Sequence, residues 1–316
     1  MVVIYKNTNN QYVDKNNNII RDKKILDYIA NMQPVPPAYT DVEIMYEKNP
    51  KILFQGRDVK GKLQQIYSPK YRLQADKDKF KSLIEFGNKL PMINMQIEKN
   101  IKGLMCKDKI ISLILKLIQI CGFRIGQLSY FISNKSIGLS TLMAKHLTFK
   151  KDKTLQIKFL GKKNVENNCI ITDPVIVREM YNISKLKKPN DFIFSYYNEM
   201  NDEMVLSGDN INTWLKTYGD DFTTKMFRTF MTNILFIDLM LNTKPHLMTE
   251  NQRKKKVKEI LEILSCNINN SASICKKSYL SADLLKLYIE HGKKYEIDIN
   301  KPLDSSPQKF INFLKK

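Results

Sequence analysis

The sequence lacks several features that would point to common classes of protein. Only five of 316 residues are cysteines, and none forms a Cys-x-x-Cys pair, which argues against a disulfide framework or a zinc site and favours a reducing intracellular compartment. No acidic cluster and no glycine-rich phosphate-binding loop is evident, so we expect no cofactor and no metal. The apolar stretch at residues 110–121 is too short to span a bilayer and is interrupted by Lys116 and Gln119, so we predict a buried core helix there.

Acidic residues are scarce relative to basic ones. The chain has 32 Asp and Glu against 52 Lys and Arg, a formal net charge of +20. Residues 1–75 contain 12 basic and 7 acidic residues, which leaves 40 and 25 for the remainder, so both parts are basic. This distribution is expected if two lobes grip one polyanion. No basic amphipathic helix dominates, and we expect no membrane partner.

The pattern of residues changes near residues 72–78. Before this point, strand patterns alternate with turn-forming residues, at residues 2–6, 12–14, 41–46, 52–55 and 64–67. From residue 76 onward, apolar residues recur at helical spacing. We therefore predict the α+β fold class, with a small β-rich domain at residues 1–75 and a larger, mainly α domain at residues 76–316.

The larger part contains one short run of strand patterns among its helices. Residues 147–149, 155–160 and 168–171 are predicted to form a small antiparallel sheet, with a turn at residues 161–164. Helices are expected on both sides of this sheet, at residues 108–121, 174–184, 210–218, 225–241, 255–264 and 282–292. The basic run at residues 253–256 is interpreted as the solvated start of a helix rather than a nuclear localisation signal.

Five residues have the chemical properties needed to cleave a phosphodiester without a metal. Arg124 and Arg228 can hold phosphate oxygens with their forked guanidinium groups. Lys162 can give a proton to a leaving oxygen, and Tyr279 can attack the phosphorus. Lys225 lies three residues before Arg228, on the same face of a predicted helix. Each residue taken alone is better explained as a solvated cation, a helix-capping cation or a buried tyrosine ring.

Taken together and in order, these residues resemble the poxvirus type IB DNA topoisomerases. The resemblance covers nearly the whole chain and lies in five segments: 54–62 (Phe-Gln-Gly-Arg-Asp-Val-Lys-Gly-Lys), 123–126 (Phe-Arg-Ile-Gly), 157–162 (Ile-Lys-Phe-Leu-Gly-Lys), 225–229 (Lys-Met-Phe-Arg-Thr) and 273–279 (Ser-Ile-Cys-Lys-Lys-Ser-Tyr). The gaps between the segments are also similar. The resemblance implies an isomerase that relaxes supercoils without ATP or metal and acts on double-stranded DNA as a monomer. It also implies action in the virion and host-cell cytoplasm, with no small-molecule substrate.

The resemblance assigns a role to each of these positions. Tyr279 would form a 3′-phosphotyrosyl bond and release a 5′-hydroxyl. Arg124 and Arg228 would bind the scissile phosphate, Lys162 would be the general acid, and Lys225 would be a supporting cation. Contacts with DNA would come from four further residues, namely Gln64, Gln65, Tyr67 and Tyr130.

The chain departs from the family at three positions. The family usually has a histidine nine residues before the tyrosine, whereas this chain has Asn270. A neutral asparagine amide can donate the same hydrogen bond to a phosphate oxygen, so activity is still expected. Gln65 replaces a family tyrosine and Ser129 a family lysine, and both changes alter the contacts available for DNA sequence recognition.

Two other functions compete with this interpretation. Tyrosine recombinases share the tyrosine and the arginines, but their second arginine usually follows a histidine, whereas here it follows Lys225. Their DNA-gripping domain is usually helical, whereas residues 1–75 are predicted to be β-rich. A noncatalytic DNA-binding relative is the second alternative, and the presence of Tyr279 with all four basic residues argues against it.

Overall fold

The computed structural model describes residues 2–198, 200, 202–299 and 304–316. The chain divides into two compact units, Met1–Lys79 and Phe80–Lys316. The division falls within a long helix, Pro69–Lys102, which begins soon after the last strand of the first unit. The boundary predicted from the sequence was at residues 75 and 76, near the start of the same helix.

The first unit is an antiparallel sheet with one helix. Its elements are β1 (Val2–Lys6), β2 (Tyr12–Val13), α1 (Lys23–Asn31), β3 (Thr40–Tyr46), β4 (Ile52–Arg57) and β5 (Leu63–Tyr67). The spatial order of the strands is β2-β1-β3-β4-β5. Alternate residues point to one face, where Ile4, Ile44 and Phe54 are buried together with Ile29 of α1. On the opposite face, Glu43, Gln55 and Gln65 lie side by side on β3, β4 and β5.

The second unit is built mainly from helices. After α2 (Pro69–Lys102) come α3 (Lys107–Cys121), α4 (Leu128–Asn134), α5 (Pro174–Ser184), α6 (Gly208–Lys216), α7 (Thr224–Leu241), α8 (Glu250–Asn267), α9 (Ala272–Ser278), α10 (Ala282–Glu290), α11 (Gly292–Ile299) and α12 (Ser306–Leu314). Helix α3 is buried along most of its length, as its apolar sequence predicts. It packs against α7, which carries several buried aromatic residues. Among the described residues, no helix is both long and apolar enough to cross a membrane.

Two small sheets lie within the helical unit. Strands β6 (Leu147–Phe149), β7 (Leu155–Leu160) and β8 (Glu166–Ile171) form an antiparallel sheet in that order, and β9 (Ser195–Tyr197) pairs with β10 (Glu203–Val205). On β7, Leu155, Ile157 and Phe159 are buried, as the alternating pattern predicted. The α+β fold class is confirmed, as are the three strands of the first small sheet.

Several short elements were not predicted from the sequence. Helix α1 was missed because it has only nine residues and lies between Asn-rich and Pro-rich segments. The short helices α4, α9 and α12 and the pair β9–β10 were missed for a similar reason, since a segment of three to nine residues contains too few turns or alternations to establish a period. The predicted helix at residues 255–264 begins earlier and ends later, as α8 (Glu250–Asn267).

Two predictions about particular residues were wrong. Cys121 and Cys169 are joined by a disulfide, with 5.7 Å between their Cα atoms. The strand order brings β8 against the end of α3, a contact that the spacing of cysteines along the chain does not reveal. The basic run at residues 253–256 is not wholly solvated, because Arg253 is buried and donates hydrogen bonds to three carbonyl groups, those of Pro245, Met248 and Ile289.

Candidate active site

Tyr279 lies at the C-terminal end of α9 with its side chain turned inward. Only 6% of the residue is exposed, and its Oη atom accepts a 2.7 Å hydrogen bond from Nη1 of Arg228. The guanidinium carbon of Arg228 lies 4.8 Å from the centroid of the Tyr279 ring, and Nζ of Lys225 lies 6.0 Å from it. Because Lys225 and Arg228 are three residues apart on α7, both cations face the same phenol.

Two arginines from other segments bind carbonyl groups at the C-terminal end of α8. Nη2 of Arg228 donates to the carbonyl of Ile268, and Nη1 of Arg124 donates to the carbonyl of Asn269 at 3.1 Å. The last carbonyl groups of a helix lack partners within the helix and carry partial negative charge, so cations are stabilised there. The end of α8 therefore brings Arg124 close to Arg228, and the charge of Arg124 contributes to lowering the pKa of Arg228.

Two hydrogen-bond donors of this group are buried without a partner. In the part of the chain that the structure describes, three buried side-chain nitrogen or oxygen atoms have none: Nε of Arg228, Nδ2 of Asn270 and Oη of Tyr295. Leaving such a group unsatisfied costs about 1–3 kcal/mol. Burial lowers the pKa of Arg228 to about 10, and the neighbouring oxygen of Tyr279 opposes that shift. An anion placed between Arg228 and Asn270 would satisfy both donors and restore the charge balance.

Lys162, unlike Arg228 and Tyr279, lies on an exposed loop. It follows Gly161 in the loop between β7 and β8 and is exposed. None of the hydrogen bonds or ion pairs among the described residues joins Lys162 to Arg124, Arg228 or Tyr279. The structure therefore joins Arg228 to Tyr279 directly, connects Arg124 and Arg228 to neighbouring carbonyl groups just before Asn270, and places Lys225 beside the Tyr279 ring. Lys162 lies on an exposed loop.

A path of backbone hydrogen bonds nevertheless connects the Lys162 loop to Arg124. The carbonyl of Leu160 accepts from the N–H of Ile137 at 3.2 Å, and two residues later the N–H of Leu139 donates to the carbonyl of Arg124 at 3.0 Å. Glycines allow the two segments to cross here, since a Cβ atom on Gly138 would lie 2.5 Å from the Cα atom of Gly126. The position of the Lys162 loop is thus fixed relative to the Arg124 backbone.

The residues predicted to contact DNA lie in both units. On β5, Gln64 donates to the carboxylate of Asp58 at 2.8 Å. On the opposite, polar face of the sheet, Gln65 donates to Oε1 of Gln55 at 3.0 Å and accepts from the hydroxyl of Tyr67 at 3.2 Å. In the second unit, Tyr130 is exposed on α4, a helix with no buried residue.

Asn233 was not predicted from the sequence, although it binds the tyrosine segment directly. Asn233 is fully buried on α7, and its Nδ2 atom donates to the carbonyl of Tyr279 and to that of Thr229, both at 2.8 Å. Its Oδ1 atom accepts from the N–H of Ser281 at 2.9 Å. A polar residue within the apolar sequence of α7, five positions after Arg228, is the signal that could have identified it.

The arrangement suits attack on a phosphorus atom. Guanidinium groups bind phosphate oxygens in a fixed geometry and stay protonated at neutral pH. An amide donor and two guanidinium groups beside a phenol could hold the nonbridging oxygens of a phosphodiester while the phenol oxygen attacks.

Comparisons with known proteins show similarity to one family. The family model described as "Eukaryotic DNA topoisomerase I, catalytic core" matches residues 68–302. The chain is 28% identical over 283 residues to DNA topoisomerase 1B of Acanthamoeba polyphaga mimivirus, a match that covers 85% of this chain and 83% of the relative. It is 23% identical over 290 residues to DNA topoisomerase 1B of Vaccinia virus (strain Copenhagen), with 86% of this chain and 88% of the relative covered.

Proposed function

Because the chain belongs to the type IB DNA topoisomerase family, we propose that it relaxes supercoiled duplex DNA by breaking and resealing one strand through Tyr279. A 3′-phosphotyrosyl bond is the intermediate. The observation that carries this proposal is the placement of the Tyr279 hydroxyl beside Arg228, together with the unpaired donors on Arg228 and Asn270. A scissile phosphate at this point would meet a nucleophile and three groups able to bind its oxygens.

In the cleavage step, Oη of Tyr279 attacks the phosphorus and the bond to the 5′ oxygen breaks. The phenol loses its proton to water during the attack, and Arg124 assists the transfer by stabilising the negative charge that develops. Arg124, Arg228 and Asn270 stabilise the negative charge on the nonbridging oxygens, and Lys225 adds positive charge beside the ring. The reverse attack by the 5′-hydroxyl restores the phosphodiester and frees Tyr279.

The leaving 5′ oxygen must receive a proton, and Lys162 is the proposed donor. A lysine suits this role because its ammonium group loses its proton more readily when other cations are close and water is excluded. The exposed loop after β7 allows the lysine to approach bound DNA. Backbone hydrogen bonds support this proposal, because they connect the end of β7, just before the loop, through residues 137–139 to the Arg124 segment.

The energy of the broken phosphodiester is kept in the tyrosyl bond, so we propose that neither ATP nor a metal is needed. We also propose that the first unit grips duplex DNA through β5, with Gln64, Gln65 and Tyr67, that Tyr130 contacts DNA from the second unit, and that the protein acts as a monomer. The likeness to viral enzymes leads us to propose action in the virion and host-cell cytoplasm.

Relaxation of a supercoiled plasmid in EDTA and without ATP tests the proposed function. We expect complete relaxation and a protein-linked strand trapped by denaturant, with the protein on the 3′ end. A strict requirement for magnesium would contradict the mechanism. Strand exchange between two sites would instead indicate a recombinase, and the absence of any covalent adduct would indicate a noncatalytic DNA-binding protein.

A further inference from the structure

Three consecutive residues just after α8, 268–270, carry polar groups that the proposed mechanism uses or that bind its arginines. The carbonyl of Ile268 accepts from Arg228, and the carbonyl of Asn269 accepts from Arg124. Asn270 follows them directly in the chain, and its Nδ2 donor is buried without a partner among the described residues. The relative positions of both arginines and of the amide donor therefore depend on the backbone of this short segment.

The middle residue, Asn269, is held by an unusual backbone conformation and by its own side chain. Its φ angle is +48°, in the left-handed region that asparagine tolerates better than most residues. Its N–H donates to the carbonyl of Cys266 at 3.1 Å, which completes the last turn of α8. Its Nδ2 atom donates to the carbonyl of Cys121 at 2.9 Å, at the end of α3.

The ends of α3 and α8 are in close contact at this point. A Cβ atom on Gly122 would lie only 2.0 Å from the carbonyl oxygen of Asn267, so no other residue fits there without a shift of the backbone. Cys121 is in turn joined to Cys169 on β8, in the sheet whose β7–β8 loop carries Lys162. The side chain of Asn269 thus connects the end of α8 to the end of α3, which the disulfide joins to β8.

We propose that Asn269 is a positioning residue for strand cleavage, an inference that rests on the proposed function. Among the described residues, its hydrogen bonds go to Arg124, Cys121 and Cys266 rather than to Tyr279. Its side-chain bond to Cys121 fixes the end of α8 against α3, and the carbonyl groups of Ile268 and Asn269 then set the separation of Arg228 and Arg124. The same bond fixes the direction of the Asn270 donor. Transition-state stabilisation by several groups depends on such alignment, and a misplacement of 1 Å can cost about 100-fold in rate.

Substitution by glycine separates the side-chain bond from the backbone conformation. In Asn269→Gly the left-handed conformation stays accessible, but the bond to Cys121 is lost. We expect the single-turnover rate constants of cleavage and religation to fall together, by about 10-fold or more, because both reactions share one transition state. The cleavage equilibrium and the fraction of protein that forms an adduct should stay unchanged.

Two further variants sharpen the test. Asn269→Asp should be slower than Asn269→Gly, because a carboxylate cannot donate to Cys121 and would draw Arg124 away from the phosphate. Asn267→Ala is the matched control. Its Nδ2 atom bonds the carbonyl of Ile263 at 3.1 Å on the exposed side of the same helix end, so its cleavage rate should equal that of the unmodified protein.

The outcomes distinguish this inference from the proposed function. Wild-type rates in Asn269→Gly, or a smaller fraction of active protein with unchanged rate constants, would overturn the positioning role and leave the proposed function intact. A shifted cleavage equilibrium would also overturn it, because a residue that aligns the shared transition state cannot favour one side. Absence of any adduct with the unmodified protein would overturn both.

Discussion

At the residue scale, Arg228 combines features that are costly in a folded protein. It is 6% exposed, two of its nitrogens donate to Tyr279 and Ile268, and its Nε atom has no partner among the described residues. Burial lowers the pKa of its guanidinium to about 10, so the group remains a cation at neutral pH. A phosphate anion would supply the acceptor and the charge that the protein itself does not provide.

Asn270 stands at the position where the family resemblance implies a histidine. If its amide donates to a nonbridging oxygen, Asn270→Ala should slow cleavage by roughly 10²–10³, as for other lost oxyanion donors. Asn270→His should retain much of the activity and add a dependence on pH near ~6.5, the unperturbed pKa of imidazole. Rates of single-turnover cleavage against pH provide the measurement. Cleavage by Asn270→Ala at the unmodified rate would remove Asn270 from the mechanism.

Lys162 is tested by changing the leaving group rather than the phosphate. Lys162→Ala should slow cleavage of an ordinary phosphodiester far more than cleavage of a 5′-bridging phosphorothiolate, since a thiolate leaves without a proton. Lys163→Ala, at the neighbouring exposed position, serves as the control and should behave like the unmodified protein on both substrates. Equal defects of Lys162→Ala on the two substrates would make Lys162 a positioning residue or an electrostatic one.

At the element scale, the start of α8 contains both a buried arginine and an exposed lysine. Arg253 donates to three carbonyl groups, whereas Lys254 is exposed and pairs with Glu250. Arg253→Ala leaves those carbonyls buried and unpaired, so the free energy of unfolding should fall by about 2–4 kcal/mol. Lys254→Ala should change it by less than about 0.5 kcal/mol. Equal effects in denaturant titrations of the two variants would contradict this assignment.

Local sequence patterns predicted the elements that have a clear period. The buried face of β7 and the apolar helix α3 follow directly from the spacing of their residues, and Gly122 marks the end of α3. The bond from Asn269 to Cys121 joins residues that are far apart in the chain and adjacent only after folding. No sequence period encodes such a contact. For the same reason the sequence analysis argued against disulfides and missed the one between Cys121 and Cys169.

The sequence likewise predicted some residues of the candidate site and missed others. The order of Arg124, Arg228 and Tyr279 along the chain, with its resemblance to a known family, identified residues that the structure brings together. The role of Asn233 depends on a hydrogen bond to the Tyr279 backbone, across the contact between α7 and the segment that follows α9. The polar position within the apolar sequence of α7 marks Asn233 as unusual, but the sequence does not show which groups its side chain binds.

At the scale of the whole molecule, the net charge of +20 is spread over both units. A polyanion that contacts both would release bound counterions, so binding of duplex DNA should weaken steeply as salt increases. Positive charge alone explains the binding of DNA but not the cleavage of a phosphodiester. The catalytic claim rests instead on the few groups around Tyr279, where one oxygen decides whether a covalent intermediate can form.

The most direct measurement of that claim is trapping of the protein on a nicked duplex whose short 5′-hydroxyl fragment diffuses away after cleavage. The unmodified protein should accumulate as an adduct with the 3′ phosphate, and mass analysis of the digested adduct should place the DNA on Tyr279. Tyr279→Phe should bind the same duplex with similar affinity and yield no adduct, since only the nucleophilic oxygen is removed. An adduct on another residue, or relaxation of supercoiled plasmid by Tyr279→Phe, would contradict the account.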